Sequence, residues 1–257
     1  MIRIAHIINP INAEENHPSY LYYAQPVTFE SFRNAKKYID DLNLPDVEVE
    51  LITAQYPEDR DSIPEFFTKT PDLEKSCLDY YNFSKKQRKL PLIRDILYKL
   101  YDNSDAEYLI YSNVDISLKP NFYKYVYDRI KEGYDGLTIC RWDVDKGDSH
   151  GRYTVNDMEK LYKLTGRVMP GFDCFVMHRD ILSKLHLGYI FIGYPPIGRV
   201  LWFGIQNKAK KSKYVPSSEN LTFHLGIDKP WGNSASEYYR VNMVEEHMRI
   251  KKKPGRG

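Results

Sequence analysis

The chain has 257 residues, of which 42% are hydrophobic and 28% charged, and a formal net charge of +2. That length holds one α/β domain with a sizeable core, expected over residues 1–250, followed by a basic, disordered tail at 251–257. The near-neutral charge excludes a generalised nucleic-acid binder, which needs a concentrated basic face.

No run approaches the ~20 apolar residues needed to span a bilayer, and the apolar stretch at Met1 to Ile8 is too short for a secretory signal. Cys77, Cys140 and Cys174 lack paired spacing, so neither a disulfide framework nor a zinc site is suggested. A soluble, cytoplasmic protein is expected. The basic runs at 84–89, 208–213 and 251–256 leave room for peripheral contact with an anionic surface. Tyrosine is abundant, 22 residues against 11 Phe and 3 Trp. Such rings suit polar clefts, and they also fill cores wherever the hydroxyl finds a partner.

In chain order, residues 2–8 predict a strand stopped by Asn9-Pro10, since proline cannot donate to a ladder. The loop that follows, 11–25, carries Glu14, Glu15 and His17 but no Gly-rich phosphate fingerprint, which disfavours a dinucleotide-binding fold. Thr28 and Ser31 predict the cap of a helix with Phe29, Phe32, Ala35, Ile39 and Leu42 at helical spacing. Val47 to Thr53 alternates as a strand, and the acids of the loop at 56–61 lie beyond it, where a base or ribose would sit. The span 62–83 reads as short helices or loop, and 90–101 as a helix.

The β-branched and aromatic run from Glu107 ends in Asn113-Val114-Asp115 and predicts a buried strand with both polar side chains at its carboxyl end. Period-two spacing would turn Asn113 and Asp115 to one side, and open α/β sheets bind ligands beyond that edge. A helix from about Pro120 to Gly133 and a strand at 136–142 continue the alternation, which implies a mainly parallel sheet with helices on both faces. Asp143-Val144-Asp145 matches D-x-D literally but precedes a hydrophilic, glycine-bearing segment that reads as a loop. A loop supports a metal less rigidly than a strand end. Asp143, Asp145 and His150 are therefore a second choice.

A short helix at 157–164 and a strand at 174–177 preceded by Gly171 and Asp173 follow, then helical patterns at 178–185 and 197–209. The second of these carries Trp202, a candidate for stacking on a sugar or for the core. A strand at 221–226 delivers His224, and 238–248 reads as a closing helix.

The helix at 90–101, the strand, Asn113-Val114-Asp115 and the next helix together resemble the core of GT-A glycosyltransferases, whose D-x-D motif ends in an Asp that binds the metal of a nucleotide-sugar donor. Asn113 stands where that family has its first acid. The resemblance implies a sugar transferred from a nucleotide-sugar donor to a glycan or other hydroxyl acceptor, with manganese or magnesium held by Asp115. It also implies a role for His224 in the metal shell, for Arg88 and Lys89 at the diphosphate, for Asn9 and Asn113 at the donor, and for Asp173 as the base toward the acceptor. Arginine is the better phosphate partner of the two cations because its fork binds two oxygens. The competing readings are a non-catalytic nucleotide- or glycan-binding module of the same fold and a nucleotidyltransferase. The latter usually carries a Gly-rich basic loop where this chain has Ile7-Ile8-Asn9-Pro10.

Overall fold

The computed structural model describes residues 1–15, 20–84, 87–144, 153–225 and 236–250. The first strand, β1 (Ile2–Ile8), is followed by α1 (Leu21–Asp41) and β2 (Val47–Thr53). Next come β3 (Thr68–Lys69), α2 (Ile93–Asn103), β4 (Tyr108–Ser112), β5 (Ile116–Leu118) and α3 (Phe122–Lys131). The second half holds β6 (Gly136–Val144), α4 (Met158–Lys163), β7 (Arg167–His178) and α5 (Arg179–Leu182). It closes with α6 (Ile197–Lys208), β8 (Ser212–Val215), β9 (Thr222–Leu225) and α7 (Glu237–Ile250).

The strands form one sheet in the order β3-β2-β1-β4-β7-β6-β9-β5, with β8 also paired to β6. Pairing is parallel through β3, β2, β1 and β4, and again from β6 to β8 and β9. β7 enters antiparallel between β4 and β6, and β5 runs antiparallel to β9. The sheet is thus mostly parallel.

Strand alternation sends side chains into two cores, one on each face. In β1, Ala5 and Ile7 join Leu97 and Leu100 of α2, Leu182 of α5 and Leu201 of α6. Ile4 and Ile8 join Phe29 and Phe32 of α1 and Phe122 and Val126 of α3 on the other face. Helices cover both faces, and each fully buried Phe or Leu contributes about 1.5–3 kcal/mol over its exposed state.

His6 sits among the second set of side chains with its ring nitrogens 3.0 Å from Tyr123 Oη and 2.9 Å from Ser112 Oγ. Among the described residues no helix is long and apolar enough to cross a membrane. The three cysteines are buried and free.

Four expectations from the sequence need correction. α1 begins at Leu21, not near Thr28, and runs through Pro26. Thr28 and Ser31 are therefore interior residues, bonded to Ser117 Oγ at 3.1 Å and to the Leu118 amide at 2.9 Å. Tertiary partners for those hydroxyls replaced the cap. β8, inside a basic run, was not foreseen, because alternating lysines resemble a solvated surface. β7 spans twelve residues where four were expected, so Gly171 and Asp173 lie inside a strand. Finally, β4 ends at Ser112, and Asn113 to Ile116 is a tight turn closed by Ile116 N–H on the Asn113 carbonyl at 3.1 Å.

Candidate active site

The site forms where β4, β5, β6, β7 and β9 end or bend near one another. The turn at Asn113 separates the two polar side chains that period-two geometry would have aligned. Asn113 turns toward β7: its Nδ2 donates to Asp173 Oδ1 at 3.0 Å, and its Oδ1 accepts from Tyr111 Oη at 2.9 Å. Burial pushes the Tyr111 hydroxyl pKa up, so it remains a donor. Asp115 turns toward β9, with Oδ2 lying 3.3 Å from His224 Nε2. Its side chain is 30% exposed.

His224 is placed by pairing on both sides of β9, opposite Asp143 in β6 and opposite Ile116 in β5. Its Nδ1 lies 3.3 Å from Asp143 Oδ1. Burial opposes charge on the ring, but Asp115 and Asp143 outweigh it and raise the His224 pKa to about 9. Burial likewise opposes charge on both acids. For Asp115 the imidazole, and for Asp143 the imidazole and Arg141, win and hold the carboxyls below their ordinary range.

Arg141 occupies an irregular stretch of the β6–β7 pairing, where the register shifts on both sides of Cys140. Bulges re-aim side chains, and this one points the guanidinium at two acids. Nε donates to Asp143 Oδ1 at 2.8 Å, and Nη1 pairs with Asp173 Oδ2. Gly171 makes room, since a Cβ there would lie 2.9 Å from Arg141 Nη1.

The structure thus gathers Asn113, Asp115, Asp173 and His224 with Arg141 and Asp143. The sequence marks Arg141 only as part of a strand. Its signal was the i, i+2 spacing to Asp143, which places both on one face of β6. The expectation that Asp143 belongs to a loop is corrected: it stands on the strand, whereas Asn113 and Asp115 stand on the turn. Asp145 and His150 lie outside the described residues, as does the tail at 251–257.

Three other candidates stand elsewhere in the fold, Asn9 just after β1 and Arg88 and Lys89 ahead of α2. Asn9 donates from Nδ2 to the Ala54 carbonyl at 2.6 Å, and its buried Oδ1 has no hydrogen-bond partner among the described residues. Lys89 pairs with Glu58 at 2.6 Å and lies 3.8 Å over the Tyr56 ring. Arg88 has an exposed side chain, while its amide donates to Tyr238 Oη at 2.7 Å. Asp59, among the acids noted beyond β2, is 8% exposed and accepts from the Asn12 amide at 2.8 Å, which fixes the loop after β1. Trp202 packs against Phe172 with ring centroids 4.9 Å apart.

As a sequence the chain matches no described protein family and no curated protein. Its structure is similar to that of glucosyl-3-phosphoglycerate synthase from M. tuberculosis, with TM-score 0.52 and 10% identity over 96% of this chain and 80% of the other. The same synthase in complex with Mn2+, UDP-glucose and phosphoglyceric acid gives TM-score 0.50 at 12% identity, covering 96% and 79%. S. aureus TarS 1-349 in complex with UDP gives TM-score 0.51 at 12% identity over 86% of this chain. The chain spans 60% of that TarS fragment. The mostly parallel sheet, its antiparallel β7 and helices on both faces are those of the GT-A nucleotide-sugar glycosyltransferase fold.

Proposed function

We propose that the chain transfers a glycosyl group from a nucleotide-sugar donor to a hydroxyl acceptor, with manganese or magnesium held between Asp115, His224 and the donor diphosphate. The observation that carries this reading is the 3.3 Å approach of Asp115 to His224 at the open edge of a GT-A sheet. One carboxylate oxygen and one imidazole nitrogen would suit such an ion, with the donor supplying further oxygens. Among the described residues no three His, Cys, Asp or Glu side chains form a cage of their own. When bound, the cation supplies charge that stabilises the departing nucleoside diphosphate.

Asn113 is fixed at both ends of its carboxamide and shapes the floor beside Asp115. Arg88, and Lys89 once it exchanges Glu58 for phosphate, bring positive charge to the diphosphate. The free carbonyl oxygen of Asn9 is suited to a donor group of the base or ribose. Asp173 is our candidate base for the acceptor hydroxyl. A base needs a free oxygen within hydrogen-bond reach of the proton, so Arg141 has to release it when the acceptor binds.

Because a neighbour of the same fold was crystallised with Mn2+ and UDP-glucose, UDP is the first nucleotide to test. Calorimetry with UDP, GDP, ADP and CDP, each with and without Mn2+, is expected to show Mn2+-linked binding of one of them that Asp115→Ala abolishes. Nucleotide binding that ignores both Mn2+ and Asp115→Ala would overturn the assignment. So would the absence of any nucleotide binding.

A further inference from the structure

We propose that Asp143 is the positioning residue of this site: it holds the Nδ1 side of the His224 ring so that Nε2 faces Asp115 and the cation. The inference rests on the cation reading above and adds a residue that reading does not use.

Three observations carry it. First, parallel pairing sets Asp143 and His224 side by side in β6 and β9, so the backbone fixes the distance between them. Second, Asp143 Oδ1 lies 3.3 Å from Nδ1 while Asp115 Oδ2 lies 3.3 Å from Nε2, which puts the two carboxylates on opposite edges of one ring. Asp143 therefore cannot share a cation with Asp115 while the ring stands between them. Third, Arg141 Nε donates to the same Asp143 oxygen at 2.8 Å and is itself held by Asp173. The carboxylate is pinned and only 15% exposed, beside a ring that is 12% exposed.

A carboxylate on one imidazole nitrogen keeps the proton there and leaves the lone pair of the other nitrogen for a metal. Losing such a partner typically weakens metal affinity by about 10- to 100-fold. The 3.3 Å contact misses hydrogen-bond geometry and leaves the buried Nδ1 without a hydrogen-bond partner among the described residues, and a cation at Nε2 would localise the proton on Nδ1 and draw Asp143 into that bond.

The test is a Mn2+ titration, Mn2+ alone, followed by the electron paramagnetic resonance signal of the free ion, on the wild-type chain and on Asp143→Asn, Asp143→Ala and His224→Ala. A second readout is the ring 15N shifts of His224 with Zn2+ bound. Asp143→Asn, which is isosteric, is expected to weaken Mn2+ about 10-fold and Asp143→Ala toward 100-fold, with His224→Ala at least as severe. The Zn2+-bound ring is expected to be metallated at Nε2 and protonated on Nδ1 in the wild type, and in Asp143→Ala a fraction of the ring is expected to turn and be metallated at Nδ1 instead. Should the alanine variant not fold, Asp143→Asn decides. Wild-type Mn2+ affinity and an unchanged tautomer in the Asp143 variants, with affinity lost in His224→Ala, would overturn this inference alone. Unchanged affinity in His224→Ala would remove the cation reading and this inference with it.

Discussion

Asn113 and Asp173 face each other across the β4–β7 pair, joined by Asn113 Nδ2 to Asp173 Oδ1 at 3.0 Å and by the Asn113 amide to the Asp173 carbonyl at 3.2 Å. This contact gives a physical account of the departure from D-x-D. A carboxylate at 113 would stand beside the carboxylate at 173, whereas a carboxamide offers it two N–H donors. In this chain the side chain at 113 ties the turn after β4 to strand β7.

Restoring the literal motif should therefore harm the protein. Asn113→Asp replaces a donor with a like charge 3.0 Å from Asp173 Oδ1, in a pair of part-buried side chains. A loss of about 1–3 kcal/mol is expected. Urea denaturation at pH 7 measures it, and the loss should shrink at pH 4, where one of the two acids can take a proton.

Asp115→Asn keeps the shape of the side chain and removes its charge. If the cation reading is right, several kcal/mol of leaving-group stabilisation go with it, which corresponds to at least about 100-fold in turnover. Because Asp115 also holds the charge of the largely buried His224 ring, a moderate fall in melting temperature is expected alongside. Product formation from the nucleotide sugar identified by calorimetry gives the rate, and a large fall in melting temperature would mark Asp115 as structural instead.

His6 makes a pH prediction that does not involve the site. It is fully buried between Tyr123 Oη and Ser112 Oγ, and burial holds its pKa well below the ordinary 6.5. The folded chain therefore binds fewer protons at this ring than the unfolded chain once the pH drops below 6.5. The stability it contributes is complete above 6.5 and is lost as the pH falls, by up to about 1.4 kcal/mol per pH unit. Denaturation between pH 7 and 5 should show that slope, and His6→Asn should be less stable at pH 7 but flatter toward pH 5.

Two glycines beside the site should respond differently to alanine. At Gly198 a Cβ would meet the Phe172 carbonyl oxygen at 2.5 Å, an immovable backbone atom. At Gly171 it would meet Arg141 Nη1 at 2.9 Å, the end of a flexible side chain. Alanine improves helix propensity at 198 by about 1 kcal/mol, but overpacking costs about 1–3 kcal/mol and should win. Gly198→Ala is expected to be the more destabilising in thermal melts. Gly171→Ala should keep most of the stability while parting Arg141 from Asp173.

Much of the framework was legible from residue order. Apolar alternation in β1 and β2, the helical stripes of α2, α3 and α6, and the buried run of β4 are local patterns, and local patterns survive because each segment has to present one face to a core. Boundaries suffered where a distant partner intervened. Thr28 and Ser31 look like caps until Ser117 and Leu118, nearly ninety positions away, take their hydroxyls inside α1. The lysines around β8 conceal a strand that pairs with β6.

Residue identity by itself determined which groups were available: Asp115, Asp173, His224, and an asparagine where an acid was expected. The tertiary structure decided which of them meet. Whether β7 enters the sheet antiparallel, whether Asn113 ends a strand or opens a turn, and whether Arg141 is aimed at Asp143 and Asp173 all depend on pairings between residues 24 or more positions apart. Such pairings are fixed by the cooperative closing of both cores, and no window of neighbouring residues carries that information.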